Sequence, residues 1–172
     1  STGRRLTIQS LWTEDTIGYR TFRSWCESVV ELTSGEVDFV PFPGGSVAEI
    51  FDMMTATSAG VMDDMHWVPH YAAISGVMPA GAFLTSFPLG LPHPHQWDML
   101  FHSYGGTALA QELYAEQGLH FVGHVHHDMN LIHSNVPIHS LDDLVGLNLR
   151  MPGGLVADCF EAVGARTIAL AG

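Results

Sequence analysis

A chain of 172 residues that is 47% hydrophobic has the apolar surface for a sizeable core in one or two domains. Its formal charge of −12 and its lack of lysine argue against nucleic acid and anionic membrane surfaces as partners, because both are held through clustered Lys and Arg. No apolar run approaches the roughly 18 residues of a spanning helix, so no direct membrane insertion is expected. The basic start Arg4-Arg5 leads into a short strand rather than a signal core, which is what the mature form of an exported protein would show.

Residues 5–11 alternate and favour β structure, and Trp12-Thr13-Glu14-Asp15 then offers a threonine cap with acids in the first helical turn. Ile17, Phe22, Trp25, Val29 and Leu32 recur at helical spacing up to the stop signal Thr33-Ser34-Gly35. A second strand is predicted over 36–42, a helix capped by Pro43-Gly44-Gly45-Ser46 and running to Thr57, and a third strand over 61–67. Strands alternating with helices in this way predict an α/β fold, mostly parallel sheets with helices on both faces and ligands at the carboxyl ends of the strands. Trp12, Trp67 and Tyr71 fall at or near such ends, where an aromatic ring serves either the core or a pocket wall.

Three prolines within 83–95 predict extended chain and loop. Helices follow at 96–103 and 107–117, a strand at 120–126 and a further extended piece at 130–134. The remainder reads as a short capped helix at 140–144, a strand at 147–151, a helix at 154–163 and a last strand at 166–170. A βαβ run that stops on an uncovered strand is expected to continue in a longer protein. Cys26 and Cys159 stand in separate predicted helices and form neither a metal pair nor a redox motif.

Arg4, Arg5, Arg20 and Arg23 crowd the first strand and helix, so the positive side chains of the remaining chain are Arg150 and Arg166. Arg150 stands at the end of a short apolar strand, in Leu149-Arg150-Met151-Pro152-Gly153-Gly154. A guanidinium is a rigid fork that holds a planar carboxylate by two parallel hydrogen bonds and stays charged at any working pH, which suits a small organic acid. The other role open to it is a structural pair with Asp142, Asp143 or a helix end.

The chain has 11 histidines, and His124-Val125-His126-His127-Asp128 resembles the H-x-H-x-D of metallo-β-lactamase-like hydrolases. Met129 stands where that family has a further His, and no later His-plus-acid set follows. A zinc-dependent hydrolase using His124, His126 and Asp128 is the alternative this cluster keeps open. Ser134 and Ser140 lack a nucleophile elbow, and no Lys follows the glycines of Tyr104-Gly105-Gly106-Thr107 to complete a phosphate loop. The residues therefore point to binding rather than catalysis.

Three stretches together resemble the solute-binding subunit of tripartite ATP-independent periplasmic (TRAP) transporters. They are Glu31-Leu32-Thr33-Ser34-Gly35-Glu36-Val37 with Pro41-Phe42-Pro43-Gly44-Gly45; Ser86-Phe87-Pro88-Leu89-Gly90 before Gly105-Gly106; and the stretch from Ser140-Leu141-Asp142-Asp143-Leu144 through Arg150-Met151-Pro152-Gly153 to Glu161-Ala162-Val163-Gly164-Ala165. The resemblance implies a type II periplasmic binding protein-like architecture of two α/β lobes. Residues 1–123 would form lobe I and 124–172 would begin lobe II, with the C-terminal half of the family fold missing from this chain.

By position, Arg150 matches the arginine that clamps the ligand carboxylate, Asn130 a strand residue that helps hold the ligand, and Trp67 and Tyr71 the pocket wall after the third strand. Some members of the family place a second arginine where Asn130 stands. Its absence, with the bulk of Trp67 and Tyr71, implies a small monocarboxylate. Phe87-Pro88-Leu89-Gly90-Leu91, Tyr114-Ala115-Glu116-Gln117-Gly118-Leu119 and the stretch around Asn130-Leu131-Ile132-His133-Ser134 look closest to the subgroup that binds 2-oxo acids such as pyruvate, or lactate. Some of that subgroup co-bind Na+ or Ca2+. The implied protein is periplasmic, is not an enzyme, and hands its acid to the membrane subunits of a transporter; pairing into a homodimer is left open.

Overall fold

The computed structural model describes residues 3–74, 76–126 and 130–170. Its packing divides the chain into two compact units, Ser1–Val68 and Pro69–Gly172.

The first unit runs β1 (Arg4–Ser10), α1 (Ile17–Leu32), β2 (Val37–Phe42), α2 (Met53–Ser58) and β3 (Asp64–His66). The strands lie in the order β2-β1-β3 and both pairings are parallel, as the alternation of strand and helix requires. Helix α1 buries Tyr19, Phe22 and Cys26, which pack on Ile8 of the central strand with Trp12 and Phe39 around them. Burial pushes the Cys26 thiol up to about 11, so this cysteine is a packing residue rather than a nucleophile. Trp25 stacks on Phe39 with ring centroids 5.4 Å apart, whereas Ile17 and Leu32, at the two ends of the helix, are exposed.

The cap of α1 is Thr16 and not Thr13: its Oγ1 accepts from the Tyr19 amide at 3.2 Å. The Thr13 carbonyl accepts from the Thr16 amide at 3.1 Å, so the acids Glu14 and Asp15 occupy a turn ahead of the helix. The stop is where the sequence places it, with Ser34 (φ 50°) and Gly35 (φ 77°) left-handed and the Gly35 amide donating back to the Val30 carbonyl at 2.8 Å.

The helix predicted to start at Ser46 begins only at Ile50, as a 3-10 turn (Ile50–Asp52) leading into α2. The reason lies on the central strand. Gln9, fully buried, accepts from the amides of Val47 and Ala48 at 2.7 and 2.9 Å and donates to the Ala48 carbonyl at 2.8 Å. Backbone groups claimed by a side chain are lost to a helix, so residues 47–48 stay non-helical. Gly44 is needed in the same loop because a Cβ there would sit 2.5 Å from the Leu11 carbonyl oxygen.

The start of β3 is fixed by Asp63, whose Oδ2 accepts from the Thr7 amide at 2.7 Å and the Thr7 hydroxyl at 2.9 Å. These bonds hold the Asp63 carboxyl below the usual carboxylate range. A carboxyl depressed in the folded state contributes stability above its unfolded value of about 3.9, and that contribution is lost as pH falls through the folded value. Asp63→Asn is therefore expected to flatten the acid limb of a plot of thermal midpoint against pH, from about pH 5 downward. Parallel limbs for variant and parent would refute the role.

The second unit contains α3 (His70–Ile74), α4 (Pro94–Ser103), α5 (Gly106–Ala115), β4 (Asn148–Met151), α6 (Gly154–Ala162) and β5 (Arg166–Ala169), with 3-10 turns at Pro79–Leu84 and Leu141–Leu144. β4 and β5 pair in parallel around α6, and Leu144, Leu149, Met151, Val156, Ala157 and Ala165 form the core between sheet and helix. The proline-rich stretch is a loop after the first 3-10 turn, and α4 starts two residues before the predicted position because Pro94 suits the first helical turn.

The strand predicted at 120–126 does not form: among the described residues this segment has no strand partner, and neither has 130–134. Two of its rings, Phe121 and His124, pack on helices instead. Phe121 lies 5.8 Å from Phe101 of α4 and 5.5 Å from Tyr114 of α5, and His124 stacks on Phe101 at 4.4 Å. The inward-facing positions, 121 and 124, are three apart, a spacing that an extended strand in a sheet would put on opposite faces.

Candidate functional site

Arg150 sits on β4, where the alternation of a strand turns Leu149 and Met151 into the core and leaves the arginine exposed on the other face. Its Nε donates to the Leu170 carbonyl at 2.8 Å. Among the described residues the two terminal nitrogens of the guanidinium carry no hydrogen bond and no carboxylate lies within ion-pair distance. Of the structural partners that the sequence offers, Asp143 is engaged elsewhere: its Oδ2 accepts from the amides of His139 and Ser140 at 2.9 and 2.8 Å and from the Ser140 hydroxyl at 3.0 Å. These bonds hold its carboxyl below the usual range. Asp143 thus caps the turn at Leu141–Leu144, and the fork of Arg150 is left for something else.

The Pro-Gly-Gly after Arg150 has a steric purpose. A Cβ on Gly153 (φ 86°) would lie 2.5 Å from Ile74 Cγ1, and one on Gly154 (φ 56°) 2.5 Å from Ala73 Cβ. The N-terminus of α6 is therefore seated directly on α3, the helix that carries Tyr71. Gly154→Ala is expected to destabilise the protein by about 1–3 kcal/mol, through both the clash and the positive φ. An unchanged urea midpoint would show that α3 yields without cost.

Asn130, exposed, donates through Nδ2 to the Ser86 hydroxyl at 2.5 Å, which joins two of the stretches that carry the family resemblance. Tyr71 is buried on α3, at 4% exposure. Trp67 belongs to the first unit, half-buried, with its indole N–H donating to the Ile50 carbonyl at 2.8 Å. Of the four predicted binding residues, Tyr71, Asn130 and Arg150 thus share the second unit. Among the described residues no hydrogen bond joins Asn130 to Arg150. A hollow lined by Leu91, Gln96, Met99, Leu100 and Tyr104 includes none of the four.

The histidine cluster is arranged otherwise than its sequence order suggests. Asp128 lies outside the described residues. The acid facing His124 and His126 is Asp98 of α4, whose Oδ1 is 3.0 Å from one Nε2 and 2.9 Å from the other. Sequence reasoning misses Asp98 and its neighbour His102; the signal available was their spacing of four within a predicted helix.

Comparison with known proteins agrees with this frame. The family model described as bacterial extracellular solute-binding protein, family 7, matches residues 8–172. A monocarboxylate 2-oxoacid-binding periplasmic protein of Nostoc is 33% identical over 140 residues, 73% of this chain and 34% of its own length. A TRAP transporter solute-binding protein from Bordetella bronchiseptica, solved with calcium and picolinate in its active site, superposes with a TM-score of 0.84 at 27% identity, over 99% of this chain and 50% of that one. An open, ligand-free TRAP solute-binding protein from Rhodobacter sphaeroides gives 0.69 at 28% identity, over 97% and 52%. The chain therefore spans about a third of the curated relative and about half of the solved ones. No helix of the described residues is long and apolar enough to cross a membrane. With parallel α/β units and a family match that runs almost from end to end, the chain belongs to the family 7 extracellular solute-binding proteins, the solute-binding subunits of TRAP transporters.

Proposed function

We propose that the protein containing this chain is a periplasmic binding protein that captures a small monocarboxylate, a 2-oxo acid such as pyruvate or else lactate, and presents it to the membrane subunits of a TRAP-type transporter. The observation that carries the proposal is Arg150: in a chain without lysine, its terminal nitrogens stand unbonded among the described residues on the polar face of β4. A guanidinium in that state is a ready two-point donor site for a carboxylate. The Nostoc relative, named for monocarboxylate 2-oxo acids, supports the ligand class. Asn130, held by Ser86, is assigned a second polar contact, and Trp67 and Tyr71 are assigned apolar contacts that favour a short ligand.

The same reading makes residues 1–123 lobe I and 124–172 the start of lobe II, with ligand capture biasing an equilibrium between open and closed forms rather than lowering a reaction barrier. No catalytic role is assigned to any residue. A co-bound Ca2+ or Na+ is part of the proposal, supported by the calcium in the Bordetella relative; hard cations need several oxygen ligands. A thermal-shift screen of the full-length protein against small carboxylates, with and without Na+ or Ca2+, tests the reading. Pyruvate or lactate should raise the melting temperature more than uronic acids or dicarboxylates do. A larger shift with those bulkier acids would overturn the ligand assignment.

A further inference from the structure

The tightest gathering of metal-ligating side chains among the described residues lies at the end of α4, and carboxylate capture makes no use of it. Asp98 and His102 stand four apart on α4, so both look out from one face. His124 and His126 alternate along the unpaired segment that packs beside it. Nε2 of each approaches the same atom, Asp98 Oδ1, at 3.0 and 2.9 Å. The two imidazoles meet nearly edge to face, with centroids 5.0 Å apart and planes at 76°. His102 lies 5.2 Å from His124, centroid to centroid, and Asp98, His102 and His124 each place one ligand atom within 4.8 Å of the other two.

The arrangement is firm on one side and open on the other. His124 lies flat on Phe101, at 4.4 Å and 11°, and Phe101 is itself only 3% exposed and stacked on Phe121. The side chain of His124 is 14% exposed, against 37% for His126 and 51% for Asp98. One ligand is thus fixed by packing, while the others face water and can adjust.

We propose that Asp98, His102 and His124, with His126 as a fourth donor, form a binding site for a divalent transition-metal ion of the zinc type, separate from the carboxylate site. The donor set decides the class of ion: imidazole nitrogens with one carboxylate suit Zn2+, Ni2+ or Cu2+, whereas Ca2+ and Mg2+ require oxygen ligands. The spacing agrees. Bonds of about 2.0–2.1 Å in a tetrahedral site put donor atoms roughly 3.4 Å apart, between the 2.9 Å contacts and the 4.8 Å limit seen here. Closing the set is a matter of side-chain rotation at exposed positions. His102 also stands in the last turn of α4, where the helix dipole favours a cation.

Without the ion, two imidazole N–H groups donate to Asp98 and hold its carboxyl below the usual range. Ligation replaces those two hydrogen bonds with metal bonds through the same nitrogens; the proton each Nε2 gives up moves by tautomeric shift to Nδ1 of a neutral ring, or passes to solvent from a protonated one. The site joins α4 to the strandless segment at 120–126, so an ion there acts as a clip between them.

The test is a calorimetric titration of chelator-treated full-length protein with ZnCl2. One Zn2+ should bind per chain and raise the melting temperature. Asp98→Asn and His124→Gln should each weaken Zn2+ binding about tenfold or more, while His139→Gln, away from the set, leaves it unchanged. Pyruvate affinity should be unaffected in Asp98→Asn, which separates this site from the one at Arg150. Should His124→Gln fail to fold, the more exposed His126→Gln and His102→Gln carry the test. Zinc affinity unchanged across these variants overturns the proposal.

Discussion

Replacing Arg150 by alanine in the full-length protein is expected to weaken binding of pyruvate or lactate by about 2–3 kcal/mol, roughly 30- to 150-fold. The size follows from what is removed: a charge-assisted, two-point grip on a carboxylate that would otherwise give up its hydration without compensation. Stability should change little, because the side chain is exposed and its hydrogen bond in the chain is the one from Nε to Leu170. Arg150→Lys keeps the charge but loses the fork, and its affinity should fall between the two. Calorimetry that finds Arg150→Ala as tight as the parent would remove the basis of the carboxylate assignment.

The largest stability effect is expected at Gln9. Its amide serves three backbone groups, the N–H of Val47, the N–H of Ala48 and the Ala48 carbonyl, all from within a fully buried position on the central strand. Gln9→Ala strands those groups and opens a cavity as well, at a cost of about 3–4 kcal/mol. Gln9→Leu restores most of the volume and none of the hydrogen bonds. If satisfaction of the backbone dominates, the leucine variant should be nearly as unstable as the alanine one. Urea unfolding of the full-length protein separates the cases: full rescue by leucine would mean that Gln9 matters as filler and not as a clamp on the loop after β2.

Much of the architecture was legible because its signals are local. The helix read from the recurrence of Ile17, Phe22, Trp25, Val29 and Leu32 formed, although Tyr19 and Cys26 rather than Ile17, Trp25 and Leu32 join Phe22 in the core; the left-handed stop at Ser34-Gly35 and the strand-helix-strand of 148–169 likewise follow from residues close in sequence. The misreadings share a different cause. The delayed start of α2 depends on a side chain 38 residues away, at Gln9. The strand expected at 120–126 did not form because its inward-facing rings, Phe121 and His124, pack on α4 and α5. At the candidate site, Arg150 could be singled out by charge counting, since it and Arg166 are the positive side chains after Arg23 in an acidic chain. Asp98 could not be matched to His124 and His126, because 26 and 28 residues separate them and only folding brings them together.

The alternation along β4 has a consequence for how the arginine is kept in place. Leu149 and Met151 anchor the strand by going into the core, and their burial is what aims residue 150 outward. Deleting or inserting a single residue in Asn148–Met151 would invert every side chain, sending the guanidinium inward and two greasy groups into water. The outward aim of Arg150 is thus inherited from two residues that point the other way. Anyone reshaping its selectivity by random mutagenesis should hold Leu149 and Met151 constant and vary what surrounds them.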